Sequence, residues 1–158
     1  MEQKSLNIEY REYKSWDELD SADLKLLEAA RTAANGSYAP YSKFNVGAAV
    51  LLDNGEIVDG SNQENSAFPS GLCAERVALF YAGARYPEAK VKAIAITALQ
   101  AQEPTYPCGA CRQVMIESEK RSAGDVKVII GGKSTVLLLN SCGSLMPFAF
   151  DDIPGNPV

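Results

Sequence analysis

Histidine is absent from the 158 residues. Ser-His-Asp and Cys-His catalysis, histidine-ligated haem and histidine-rich metal sites are therefore excluded. A transition metal can be held here only by cysteine or carboxylate, and a proton moved only by Glu, Asp, Lys, Tyr or Cys. Positive charge is scarce as well: 15 Lys and Arg against 20 Asp and Glu leave a formal net charge of -5. The densest basic stretch is the pair Lys120-Arg121, too little to neutralise a run of phosphates, so no nucleic-acid partner is expected. No segment approaches the roughly 20 apolar residues of a membrane span, so no membrane partner is expected either. Met1 to Trp16 is polar and mixed in charge, without the apolar h-region of a secretory signal. The expectation is a cytoplasmic protein, in which four cysteines point to metal binding or catalysis before disulfides.

Hydrophobic residues at 46% and charged residues at 22% are those of an ordinary globular protein, and the length fits one domain. Residues 1–16 read as a loosely structured extension, leaving a single catalytic domain over 17–158. Helical spacing predicts a helix from Ser21, taken as its N-cap, with Asn35-Gly36 ending it. Val46 to Leu52 and Ile57 to Gln63 read as strands joined at Asp53-Asn54-Gly55-Glu56. A helix is expected from Cys73 to Tyr86, with Val77, Phe80, Tyr81 and Ala84 along one face. A strand over Val91 to Ala98, a helix from Cys108 to Ser122, and strands over Val126 to Ile130 and Thr135 to Leu139 follow. This order predicts an α/β fold, a three-layer α-β-α sandwich with a five-stranded mixed sheet.

Cysteine opens two of these predicted helices, in Cys73-Ala74-Glu75-Arg76 and in Pro107-Cys108-Gly109-Ala110-Cys111-Arg112. Cys108 and Cys111 are one helical turn apart, which brings their sulfurs to one side. Unpaired N–H groups and the dipole at a helix N-terminus stabilise thiolates, so Cys73, Cys108 and Cys111 are suited to a soft or borderline cation such as zinc. Three protein ligands leave a coordination position open, the mark of a catalytic site. A CxxC redox pair, three unrelated buried cysteines, or a structural four-cysteine zinc domain that includes Cys142 are the alternatives. Glu75 stands two residues past one candidate ligand, where it can face the same cavity and act as general acid and base; otherwise it is a first-turn glutamate favouring the dipole.

Cys-x-Glu followed by Pro-Cys-x-x-Cys resembles the zinc-dependent nucleobase and nucleoside deaminases. The flanks are closer still. Tyr38-Ala39-Pro40-Tyr41-Ser42-Lys43-Phe44, Val46-Gly47-Ala48-Ala49, Asn62-Gln63-Glu64-Asn65, Cys73-Ala74-Glu75-Arg76 and Pro107-Cys108-Gly109-Ala110-Cys111-Arg112-Gln113, in this order, resemble the short, homotetrameric cytidine deaminases. The likeness runs from about Leu24 to Phe150.

The resemblance implies one Zn2+ per subunit on Cys73, Cys108 and Cys111, with Cys142 a buried or idle thiol. It implies hydrolytic deamination of cytidine and deoxycytidine to uridine and deoxyuridine with release of ammonia, a reaction of pyrimidine salvage. Glu75 would carry the protons, and Arg76 would donate hydrogen bonds to ligand thiolates. Asn62 and Glu64 match positions that bind the ribose hydroxyls, Phe44 the aromatic that packs on the pyrimidine, and Ala74 a backbone contact to the base edge. Phe150 resembles the C-terminal aromatic that reaches a neighbour's base in a homotetramer with shared active sites, with Phe148 the competing candidate. Asn45 where proline is frequent, Phe68 where tyrosine is frequent, and the first 16 residues depart from the family pattern. A nucleotide or an antibiotic nucleoside is the competing substrate, and the former would need cations beside the sugar, absent from Asn62 to Cys73.

Overall fold

Val46–Leu52 and Val91–Ala98 consist almost wholly of small and aliphatic residues, the composition of strands covered on both faces. They become β2 and β4, paired at the centre of the sheet. Ala48, Val50, Ile94 and Ile96 point to one face, and Ala49, Ala93 and Ala95 to the other. The computed structural model describes residues 1–152. Around the central pair lie β1 (Arg11–Tyr13), α1 (Ser21–Ala33), β3 (Ile57–Ser61), α2 (Ala74–Arg85), α3 (Gly109–Ser122), β5 (Lys127–Gly131) and β6 (Val136–Leu139). The sheet order is β1-β6-β5-β4-β2-β3, with β4 and β5 parallel and the other neighbours antiparallel. Leu26, Leu27 and Ala30 of α1 cover one face, while α2 and α3 cover the other.

The three-layer α-β-α sandwich forms as expected, but its mixed sheet has six strands where five were expected. The sixth comes from the stretch read as loosely structured. Arg11–Tyr13 pairs antiparallel with Val136–Leu138, and Trp16 Nε1 donates to the Gly132 carbonyl at 3.2 Å. The Trp16 ring also receives the Arg31 guanidinium at 5.8 Å. Arg-Glu-Tyr has no apolar alternation, so nothing in its pattern reveals a strand; the ladder is made by the backbone.

Two further expectations are corrected. The N-cap of α1 is Asp20, not Ser21: its carboxylate accepts from the amides of Ala22 and Asp23 at 3.1 and 2.8 Å. On α2 the stripe of Val77, Phe80, Tyr81 and Ala84 is not the core face, since Phe80 is 51% and Tyr81 57% exposed. Ala74, Glu75, Ala78, Leu79 and Ala82 are buried instead. The reason is steric. A Cβ on Gly60 of β3 would lie 2.6 Å from the Ala78 nitrogen, so this helix approaches the sheet more closely than bulky side chains allow.

One consequence of the register places the site. β3 is antiparallel to β2, and β2 to β4, so β3 and β4 run in the same direction. The helices that follow them, α2 and α3, therefore begin at the same end of the sheet and on the same face.

At Gly47 a Cβ would stand 1.9 Å from the Ala30 carbonyl oxygen and 2.6 Å from the Ala34 nitrogen, both backbone atoms. Gly47→Ala is expected to lower stability by about 3 kcal/mol in urea unfolding, because neither strand nor helix can yield. An unchanged midpoint would show that α1 does not seat so closely.

Candidate active site and metal centre

Cys73 and Cys108 are the N-caps of α2 and α3, and Cys111 lies in the first turn of α3. Neither cap side chain makes a capping bond with the backbone of its own helix, which leaves both sulfurs available to the space between the helices. The three Sγ atoms lie within 4.8 Å of one another, with Cys73–Cys108 at 3.8 Å and Cys108–Cys111 at 3.4 Å. Tetrahedral zinc with Zn–S bonds of ~2.3 Å sets sulfurs about 3.8 Å apart, so this donor set fits the ion. Among the described residues no other group of three His, Cys, Asp or Glu side chains is so placed. Cys111 is buried, Cys73 half-buried and Cys108 exposed, so the cluster is closed on the protein side and open outward.

The electrostatics favour the thiolate at Cys73, the N-cap of α2. A hydrogen bond from the Cys111 thiol, and after it the Arg76 guanidinium, hold Cys73 down at about 5 against the effect of burial. The same hydrogen bond and burial push Cys111 upward. Arg76 Nη2 lies 4.0 Å from Cys73 Sγ, and its Nε is buried without a partner. Glu75 is only 3% exposed, and burial, reinforced by the negative Cys73 sulfur, raises its carboxyl above the usual carboxylate range. A carboxyl raised in this way holds its proton more readily than an exposed one.

Cys142 does not belong to this cluster. It is 1% exposed, its thiol donates to the Val126 carbonyl at 3.7 Å, and burial pushes it well above its ordinary value. A structural four-cysteine site is therefore not formed.

A cleft of about 560 Å³ opens beside the thiols and is lined in part by Asn62, Glu64, Cys73 and Arg76. Glu64 accepts from the amides of Tyr41 and Ser42 at 2.9 and 3.2 Å, and bonds from the Ser42 side chain and these amides lower its carboxyl. Asn62 Oδ1 accepts from the Val46 amide and Nδ2 donates to the Phe44 carbonyl, each at 2.9 Å. One N–H and one lone pair of that amide remain for a ligand. Phe44 is 38% exposed and so is not core, while Ala74 is fully buried at the start of α2. Tyr41 and Phe68, given no binding role from the sequence, also line the cleft, with ring centroids 6.2 Å apart and planes at 77°. Tyr41 adjoins Phe44 in one motif block, which was the available signal; Phe68 had none beyond its departure from tyrosine.

Phe150 lies away from this cleft. Its side chain is 70% exposed, and its carbonyl accepts from Gln113 Nε2 at 2.6 Å. Phe148 is fully exposed, with φ of 58°, and lines a larger hollow of about 840 Å³ between the C-terminal end of α3 and the N-terminal arm. None of the cluster thiols lines that hollow, so the chemistry belongs to the smaller cleft.

A thiol cluster open on one side, with a carboxyl buried beside it, fits a metal-dependent hydrolytic enzyme rather than a structural zinc module. Residues 20–126 match the cytidine and deoxycytidylate deaminase zinc-binding region. The chain belongs to that family. It is 42% identical over 127 residues to the cytidine deaminase of Halalkalibacterium halodurans, covering 79% of this chain and 91% of that protein. Against the cytidine deaminase of Mycobacterium tuberculosis it is 36% identical, covering 86% and 97%. The crystal structure of the Burkholderia pseudomallei cytidine deaminase superposes with a TM-score of 0.70 at 39% identity, over 80% of this chain and 97% of that one.

Cys142→Ala is expected to retain one zinc per chain by elemental analysis, whereas Cys111→Ser loses it. Zinc lost from the Cys142 variant alone would move the ligand set.

Proposed function

We propose that the chain is a zinc-dependent cytidine deaminase of pyrimidine salvage, hydrolysing cytidine and deoxycytidine to uridine and deoxyuridine with release of ammonia. The observation that carries this is the buried carboxyl of Glu75 beside three clustered thiols, of which Cys73 lines an open cleft. Zinc held by Cys73, Cys108 and Cys111 supplies a Lewis acid that makes a water acidic. Glu75 takes a proton from the attacking water and delivers it to ring N3. It then carries a second proton to the amine leaving C4. One carboxyl acting twice is why no histidine is needed. Arg76, against Cys73 Sγ, draws electron density from a thiolate.

Asn62 and Glu64 bind the ribose hydroxyls, Ala74 offers its backbone to the base edge, and Phe44 packs on the pyrimidine. The amides of Tyr41 and Ser42 fix the Glu64 carboxylate and leave it lone pairs for a hydroxyl, which supports this assignment. Arg76 is the cation among the cleft residues, and it faces a thiol; a phosphate would find no other there, which favours a nucleoside over a nucleotide.

The catalytic domain is 17–158, its last six residues lying outside the described part, with 1–16 an added arm. A homotetramer with shared active sites accounts for two features: the outward Phe80 and Tyr81 on α2, and Phe150 exposed away from its own cleft. Free thiols at the metal centre suit the reducing cytoplasm, and no helix among the described residues is long and apolar enough to cross a membrane.

Glu75→Gln is expected to keep zinc and fold while ammonia release from cytidine falls by roughly 10²–10⁴-fold; normal turnover would remove Glu75 from the mechanism. Mixing Phe150→Ala subunits with Glu75→Gln subunits should restore part of the activity if sites are shared. Absence of complementation would return Phe150 to its own chain.

A further inference from the structure

Four side chains along one stripe of α3 hold the chain that follows β6. Glu119 accepts from Val126 N, Ser141 Oγ, Cys142 N and Gly143 N at 2.9, 2.8, 2.7 and 3.1 Å. Gln113 holds the Phe150 carbonyl and Lys120 that of Asp151. Arg112 differs from these three because one of its partners adjoins a candidate metal ligand. Its Nε donates to the Pro107 carbonyl and its Nη1 to the Leu145 carbonyl, each at 2.9 Å.

Pro107 immediately precedes Cys108, the most exposed of the three thiols and the one placed wholly by the backbone entering α3. That entry is otherwise held by the burial of Pro104 and Pro107 and, two residues before Pro107, by the Thr105 amide donating to the Gly131 carbonyl at 3.4 Å, so Arg112 makes the side-chain bond nearest to Cys108. The loop of residues 103–107 is outside regular structure, proline offers no N–H, and the Cys108 side chain makes no cap bond. A planar guanidinium holding one carbonyl on each of two segments fixes their relative position more rigidly than an ammonium, whose three donors turn on a flexible stem. We propose that Arg112 is a positioning residue for the metal: it fixes the Pro107–Cys108 peptide and couples zinc binding to the seating of the segment around Leu145. Zinc held firmly at Cys108 then orders the tail, and the seated tail in return tightens the zinc site, as reciprocal linkage requires.

This rests on Cys108 being a zinc ligand, so the test carries that residue as a control. Zinc affinity of the full-length protein is measured by competition with a chromogenic chelator for the native chain and the variants R112Q, R112K and C108S. Amide exchange at Ser144 and Met146, whose N–H groups bond to Ser141 and Gly143, is followed with and without zinc. R112Q is expected to bind zinc about tenfold more weakly, at the lower end of losses for groups supporting a ligand. R112K, which keeps the charge but loses the fixed fork, falls between. Zinc is expected to slow exchange at Ser144 and Met146 in the native chain and not in R112Q. Unchanged affinity in R112Q, or zinc-dependent protection that persists in it, overturns the proposal while leaving the deaminase reading intact. If R112Q does not fold, R112K decides: native affinity with native zinc-dependent protection overturns it. Native zinc affinity in C108S removes the ligand itself, and both readings fall.

Discussion

Three thiolates on one divalent cation leave a net negative charge, and the surroundings of the site are arranged to bear it. Two helix N-termini supply the first share, through the positive end of each dipole, where Cys73 and Cys108 stand. They meet only because two successive antiparallel pairings turn β3 and β4 the same way and send α2 and α3 off from one end of the sheet. Arg76 supplies the second share against Cys73. Glu75 is buried and, secondarily, feels the Cys73 sulfur, so its carboxyl is raised above its ordinary value. The negative sulfur at Cys73 thus adds to what burial already does to the Glu75 carboxyl.

Most of this was legible in the sequence because the strands and the chemistry both leave strong patterns. Val46–Leu52 and Val91–Ala98 have the bounds their apolar runs indicate, and the cysteines stand where two helices begin. What escaped did so for identifiable reasons. β1 is three residues whose pairing is backbone alone, so side-chain periodicity is silent. On α2 the bulky apolar residues drew attention to the wrong face. The buried ridge is Ala74, Ala78 and Ala82, whose value is small size rather than hydrophobic mass. Tyr41 and Phe68 line the cleft only because the Tyr38–Ser42 loop and the Phe68–Ser70 turn are brought together, a placement that spacing along the chain does not encode.

Several motif residues also have a mechanical role. Gly47 is required because α1 lies against β2 with no room for a Cβ. The Asn62 amide joins the entrance of β2 to the residue beyond β3, and Glu64 pins the loop that carries Tyr41 and Ser42. A residue that holds the wall of a cleft and also faces into it presents its remaining donors and acceptors in a fixed direction, so substrate binding incurs little ordering cost. The likeness to the deaminases along these blocks is therefore as much a likeness of packing as of chemistry.

The N-terminal arm follows a different logic from the rest. The family match begins at residue 20, beyond β1 and Trp16. Without β1, β6 would present its outer row of N–H and C=O groups at the sheet edge, an invitation to pairing with another chain. Arg11–Tyr13 occupies that edge with a short strand bearing Arg11 and Glu12, and Trp16 fastens it to the β5–β6 turn through Gly132 and to α1 through Arg31. Charge and brevity make β1 a poor template in turn, so the new edge is better protected than the one it covers. The arm thus completes the sheet on the side remote from α2 and the Cys73 thiol, where added structure costs the cleft nothing.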